Sequence, residues 1–345
     1  MQLSSFISNF RKMLIIAFFA FFVLTANNYI GERYAYAAAQ NRINVWSQQR
    51  LDDFFDMPQN SLDLVFLGSS HSFCTFDPAK IDEVMGTNSF QLGMPLQHPD
   101  VSYFTFREVL RTQSPDTVVV SLSWSLLHDD FSMQQIDHLF PVLGGRGEGL
   151  REAILENMFP LNQRLKFSIT PIRYQQAFFA YTNNRLMTYF REEHDLRVPS
   201  FIGEGREYYR ERGYVYASYI MTEHEARSIR NAPMRDVRNW RPSPIQISYV
   251  ERMANLAREE NIRLIFVTAP VSNIYLATYI NYESIHNQVR SIAEDLSVPY
   301  LDFNMLNLNG QMFLDEHFRD ARHLNDNGAQ IAADFFAAWV RNQVR

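Results

Sequence analysis

From residue 62 onward, short apolar runs alternate with longer stretches whose apolar residues recur every three or four positions. LDLVFLG (62–68), SFQLGM (89–94), TVVVSLSW (117–124), RLIFVTAP (263–270) and VPYLDF (298–303) read as strands. Between them, DPAKIDEVM (77–85), opened by Asp77 and Pro78, reads as a short helix, and HPDVSYFTFREVLRTQ (98–113) as an amphipathic one. IQISYVERMANLAREEN (245–261), ATYINYESIHNQVRSIAEDL (277–296) and NDNGAQIAADFFAAWVRNQ (325–343) have the same helical spacing. Strand and helix alternating through five strands predict an α/β, flavodoxin-like three-layer sandwich, with helices on both faces of a five-stranded parallel sheet.

The rhythm stops between about 125 and 244, a segment rich in Tyr, Phe and Arg. It reads as a mostly helical and irregular insertion between the third and fourth strands. Its expected place is over the carboxyl ends of the strands, as a lid or substrate-binding wall.

A different pattern governs the N-terminus, where nineteen uncharged residues separate Lys12 from Glu32. As a helix they span roughly 28 Å, close to the hydrocarbon thickness of a bilayer. Arg11 and Lys12 precede the run, so the positive-inside rule predicts an N-terminus in the cytoplasm and everything later outside it. The small-residue stretch AYAAAQ (35–40) lies too far past the apolar run for a usual signal-peptide cleavage site. The expected organisation is a cytoplasmic tip and transmembrane signal-anchor helix (1–31), a helical stalk (32–60) and an extracytoplasmic domain (61–345). Localisation is therefore expected at the cytoplasmic membrane, single-pass, with the large domain periplasmic or at the cell surface.

Composition narrows the partners. The chain of 345 residues is 46% hydrophobic and 14% aromatic, enough for a large core, and its formal net charge is -6. An acidic balance argues against nucleic acid, which needs a basic surface. Cys74 is the single cysteine, so the chain can form neither an internal disulfide nor a thiolate metal cluster.

The chemistry sits at the ends of the pattern. LVFLGSSHSF (64–73) carries a buried strand straight into two serines. In open α/β sheets, ligands bind outside the carboxyl ends of the strands where strand order reverses, and the first strand commonly borders that point. A serine there needs a histidine as base and a carboxylate to orient it. FRDARHLNDNGAQ, just before the last helix, offers Asp320 and His323 three residues apart, with Asn325 or Asp326 as the helix cap. Because a base histidine must be neutral, this reading predicts activity lost below about pH 6 to 6.5.

A G-S-S block after the first strand, with D-x-x-H closing the domain, resembles the SGNH (GDSL-type) hydrolase superfamily. The resemblance covers roughly residues 62–124 and 245–343 and leaves the insertion unmatched. It implies Ser70 as nucleophile, His323 as general base and acid, and Asp320 as orienting carboxylate, with no cofactor and no metal. It also implies an oxyanion hole. QLGMPLQ keeps Gly93 but has Leu96 where a second glycine is expected, and VVVSLSWSLL offers Ser123 or Ser125 in place of the usual asparagine. Loss of an oxyanion donor typically lowers turnover about 10²- to 10³-fold.

With the N-terminal anchor, these departures are similar to the anchored DltD-like subgroup and its relatives in exopolysaccharide acetylation. The resemblance then implies a serine acyltransferase or esterase. It would move an acetyl or D-alanyl group to or from a cell-surface polysaccharide or teichoic-acid-like polymer, with a membrane-bound O-acyltransferase as acyl donor. The alternative is a non-catalytic SGNH-like scaffold that binds polymer or docks the acyltransferase. Other candidates have plainer readings. His71 follows the serine and is expected to point away from it into local packing. His98 and His128 read as loop histidines, and Asp315, His317, Asp320 and His323 as a polar loop rather than a metal cluster. GGRGEG (144–149) lacks the preceding strand and the Lys-Ser/Thr of a phosphate loop.

Overall fold

The apolar runs come together as a single parallel sheet. A computed structural model describes residues 2–39, 42–140, 142–143, 145–159, 161, 164, 202–203, 205–310 and 312–343. The elements that build the sheet are β1 (Leu64–Leu67), β2 (Ser89–Gln91), β3 (Thr117–Ser121), β6 (Arg263–Thr268) and β7 (Tyr300–Asp302). Between β3 and β6 lies a hairpin of β4 (Glu207–Tyr209) and β5 (Val215–Ala217). The sheet order is β2-β1-β3-β6-β7, with all neighbours parallel.

Alternation of side chains along each strand divides the core in two. Val65, Leu67, Val118, Val120, Leu264 and Phe266 face one side. There they meet α5 (Pro99–Val109), α6 (Pro244–Glu259) and α7 (Glu283–Asp295) through Phe106, Met253 and Val289. Leu64, Phe66, Val119, Ile265 and Val267 face the other side, against α4 (Pro78–Met85) and α9 (Asp326–Gln343) through Ile81, Ala332 and Phe336. Both faces are dry, which is why the strands read as near-continuous apolar runs. The predicted five-stranded three-layer sandwich is the fold observed.

The chain runs from β1 to β2 through α4 on one face, then from β2 to β3 through α5 on the other. Strand order therefore reverses at β1, and the crevice opens beyond the carboxyl ends of β1 and β3.

Several expectations differ. The stretch expected as a stalk is partly a component of the domain: α2 (Arg42–Asp56) is a separate helix that buries Val45, Trp46, Leu51 and Phe54. Its apolar side recurs at helical spacing, and Phe54 packs edge-on against Phe90 of β2, so burial rather than extension into solvent fixes it. The helix expected from 277 begins at Glu283. Tyr279–Ile280 pairs instead with Arg235–Asp236, and Asn281 takes a left-handed conformation (φ 66°) that a continuing helix forbids. After β7 the chain turns directly into α8 (Phe303–Gly310), which the pattern does not predict.

Of the expected insertion, 165–201 lie outside the described residues. The part from 205 contains the β4–β5 hairpin, whose turn lies against α2 and the end of β2. There Gly213 (φ +93°) offers its carbonyl to the buried Arg50, at 3.0 Å from Nε and 2.8 Å from Nη2. Arg212 pairs with Asp82 at 2.6 Å and Arg210 with the buried Asp77. These contacts tie the hairpin to the sheet edge.

At the N-terminus, α1 (Gln2–Ala39) contains Ile7–Ala26, twenty residues long and apolar enough to cross a membrane. None of that stretch is buried; Phe18 is 73% exposed and Phe21 68%.

Candidate active site

β1 ends at a forced turn. Gly68 has φ +127°, and a Cβ there would lie 2.8 Å from the Ser121 carbonyl at the end of β3, so only glycine lets the chain leave the strand at this angle. Ser69 caps the one-turn helix α3 (Ser70–Phe73), its hydroxyl accepting from the His71 N–H at 3.3 Å. Ser70 is the first residue of that turn, so its side chain projects into the crevice.

The partner loop comes from the far end of the chain. Phe318 and Leu324, both buried, pair across an antiparallel bridge and pin a tight loop between them. The Arg319 N–H donates to the His323 carbonyl at 3.0 Å. Within the loop, Asp320 Oδ1 accepts from the N–H groups of Arg322 (2.7 Å) and His323 (3.0 Å), the local bonding that makes aspartate a turn former. Asn325, not Asp326, caps α9, its Oδ1 accepting from the Gly328 N–H at 3.1 Å.

These two loops meet. His323 Nδ1 lies 2.8 Å from Asp320 Oδ2 and 3.0 Å from Oδ1, and donates to the carboxylate; His323 Nε2 lies 2.9 Å from Ser70 Oγ and can accept its proton. Partial burial alone would raise the Asp320 carboxyl. The His323 ring and its hydrogen bond, the Arg322 N–H and the Arg319 guanidinium outweigh that, holding Asp320 well below the usual carboxylate range. An ionised carboxylate fixes the imidazole tautomer that leaves Nε2 facing the serine.

A cavity of about 120 Å³ opens above Ser70. Ser123 and Ser125 line it from the end of β3, their hydroxyls 3.1 Å apart, and Leu96 and Leu126 supply apolar wall. The Gly93 N–H, expected as an oxyanion donor, donates instead to Gln91 Oε1 at 2.8 Å. Gly93 has another use: a Cβ there would lie 2.9 Å from the Gly68 carbonyl, so it lets the second loop pack under the nucleophile turn, where the Met94 N–H donates to that carbonyl at 2.9 Å. Leu96, at the position where a glycine is expected, keeps the left-handed backbone (φ 54°) and lines the cavity.

His71 does not point away. It lines the same cavity and sets its ring edge-on to that of His323, with centroids 5.2 Å apart. Burial, with the nearby His323 and Arg322, pushes its pKa down to about 3, so it stays neutral. Arg322 was likewise not singled out by sequence reasoning, though it stands inside the D-x-x-H block. The signal was present, because Asp320 and His323 on one side of a tight turn carry the residue between them to the same mouth.

The remaining candidates lie apart from the serine. His98 is buried at the start of α5, its N–H donating to Gln135 Oε1, and His128 donates from Nδ1 to the Arg241 carbonyl on the surface. Asp315 accepts from the Asn273 N–H and His317 Nδ1 from the Leu314 N–H, so both are used in shaping the loop. Among the described residues, no group of three or more His, Cys, Asp or Glu side chains is arranged to hold a metal ion. Cys74 is buried, its thiol pushed up to about 12 by burial, with Arg319 donating to its sulfur.

Fold and site together define a parallel α/β domain with a serine, histidine and aspartate hydrogen-bonded in series at its switch point. No protein-family model and no curated protein matches the chain. Among solved structures it is similar to a GDSL-like lipase from Bacteroides thetaiotaomicron, at 10% identity over 86% of this chain and 98% of that one, with a TM-score of 0.38. It is also similar to a protein from Bacteroides fragilis given provisionally as an acylhydrolase (12% identity, 87% and 96% of the chains, TM-score 0.37). A third similar structure is an acetyl xylan esterase (12%, 81% and 98%, TM-score 0.35). At these values the likenesses carry no argument about chemistry.

Proposed function

We propose that this chain is a membrane-anchored serine acyltransferase or esterase working through a seryl ester on Ser70. The observation that carries the reading is the 2.9 Å contact between Ser70 Oγ and His323 Nε2, with Asp320 bonded to the other ring nitrogen. In the first step Ser70 Oγ attacks the ester carbonyl while His323 takes its proton; the tetrahedral intermediate collapses, the acyl group stays on Ser70, and His323 returns the proton to the leaving alcohol. A second hydroxyl, from water or from a sugar, then gives up its proton to His323 and attacks the seryl ester; the acyl–Ser70 bond breaks, the acyl group leaves on that hydroxyl, and His323 returns the proton to Ser70 Oγ. The oxyanion of each intermediate needs donors from this lining; the hydroxyls of Ser123 and Ser125 and the backbone of the Ser70 turn and of Leu96 are the groups available to supply them.

The apolar stretch Ile7–Ala26 supports an anchor with Arg11 and Lys12 toward the cytoplasm and the domain outside. With that placement, the acceptor or carrier is a cell-surface glycopolymer, and a membrane-bound O-acyltransferase supplies the acyl group. A fluorophosphonate probe tests the nucleophile. Labelling of the full-length protein that disappears in Ser70→Ala supports the reading, and failure of the folded protein to label overturns it in favour of a polymer-binding scaffold.

A further inference from the structure

We infer that Arg322 at the mouth of the Ser70 cavity selects a negatively charged glycan bearing a short, uncharged acyl ester. The inference rests on the serine-ester reading and names its substrate class.

The first observation is charge. Other arginines of the domain are paired with carboxylates, Arg319 with Glu207 at 3.2 Å, Arg212 with Asp82 at 2.6 Å and Arg210 with Asp77, while Arg235 donates to the Tyr279 hydroxyl at 2.9 Å. Among the described residues Arg322 has no carboxylate within ion-pair reach, although its own backbone N–H is committed to Asp320. Its guanidinium lies above the Tyr275 ring, 5.8 Å from the centroid, and the side chain is exposed beside Ser70 and His323. A planar guanidinium held over an aromatic ring, with no carboxylate bound to it among the described residues, is matched to a carboxylate or phosphate, which it can bind bidentately.

The second observation is size and polarity. The space above Ser70, about 120 Å³ and walled by hydroxyls and by Leu96 and Leu126, is small. That volume suits an acetyl-sized group and leaves a sugar ring outside, at the mouth where Arg322 stands. Among the described residues no carboxylate lines the cavity to balance the ammonium of a D-alanyl group, whereas Arg322 would repel it. Of the charged groups around Arg322, His71 is buried and neutral, Asp320 is turned to His323, and Arg235 donates at 2.9 Å to the hydroxyl of Tyr279, itself 3.0 Å from that of Tyr275.

The test uses the full-length protein and three matched oligomers: a neutral oligosaccharide, an oligouronide, and a glycerol-phosphate oligomer. Protection of Ser70 from the fluorophosphonate probe reads binding of the unacylated oligomers, and acetate release reads turnover of the acetylated ones. The expected result is a preference for one or both anionic oligomers of about tenfold, weakened by salt, lost in Arg322→Gln and partly kept in Arg322→Lys. The two anionic arms distinguish a uronate from a phosphate source. Equal protection by neutral and anionic oligomers, or a preference that Arg322→Gln leaves intact, would overturn the inference. If the probe does not label Ser70, the nucleophile reading fails on its own. Calorimetric titration of the same oligomers then still decides between a charge preference that needs Arg322 and none.

Discussion

Ser70 Oγ and His323 Nε2 stand 2.9 Å apart, although 253 positions separate them along the chain. The serine is delivered by the first strand of the sheet and the histidine by the loop before the last helix. The sheet order that places β1 at the reversal point is what lets both reach one crevice.

Removing either partner should stop the chemistry while leaving the fold. Ser70→Ala and His323→Ala are expected to lower the turnover of an aryl acetate by about 10⁴- to 10⁶-fold, residual rate coming from binding alone. Unchanged circular dichroism with a drop of less than tenfold would contradict their roles.

Asp320→Asn keeps an oxygen to accept the Arg322 and His323 N–H groups but removes the charge that fixes the imidazole. Its turnover should fall about 10⁴-fold while the denaturation midpoint moves little. Kinetics and urea unfolding on the same sample check both parts.

Gly68→Ala should damage stability and activity together. The new methyl meets the Ser121 carbonyl at 2.8 Å from a backbone at φ +127°, costing about 1 to 3 kcal/mol. Relieving it displaces Ser70, and a shift on the order of 1 Å lowers turnover by about 100-fold. A variant as active and as stable as the wild type would show that the turn is not constrained in this way.

His71 gives the fold an acid limb. It is held neutral in the folded protein, its pKa down to about 3, whereas an unfolded chain takes up a proton near 6.5. Below about pH 6.5 the unfolded state therefore binds more protons, and stability falls with pH toward 3, by up to about 1.4 kcal/mol per unit. His71→Gln should flatten that slope. Urea midpoints at pH 7, 6, 5 and 4 for the two proteins measure it, and parallel curves would refute the assignment.

Gly213→Ala should release the hairpin. An added methyl would run into the Gln91 carbonyl while Arg50 loses its acceptor in the interior, where burial already pulls its pKa to about 10. The expected loss is about 3 kcal/mol or more, read as a lower denaturant midpoint with early proteolysis in 205–221.

The strands were legible because each is buried on both faces, so Val118–Val120 and Ile265–Val267 are apolar without interruption. Helix α2 was less so. Its polar residues suggested a solvated stalk, and its burial depends on Arg50 finding Gly213, 163 positions away. His71 was misplaced for a related reason. A residue following a nucleophile would point away on an extended strand, but here it belongs to a helical turn, where successive side chains differ by about 100° and it can reach the His323 ring.

By itself the sequence determined the apolar N-terminal helix, the five strands and their order in the chain, and the candidate serine, aspartate and histidine, because periodicity and short motifs are local properties. Tertiary structure alone decided that Leu96 lines the cavity while the Gly93 N–H turns to Gln91, that α2 and the hairpin close the sheet edge, and that Arg322 stands beside Ser70 with no carboxylate bound to it among the described residues. Those outcomes depend on which surfaces the crossovers bring into contact, and contacts between residues distant in sequence leave no periodic trace along the chain.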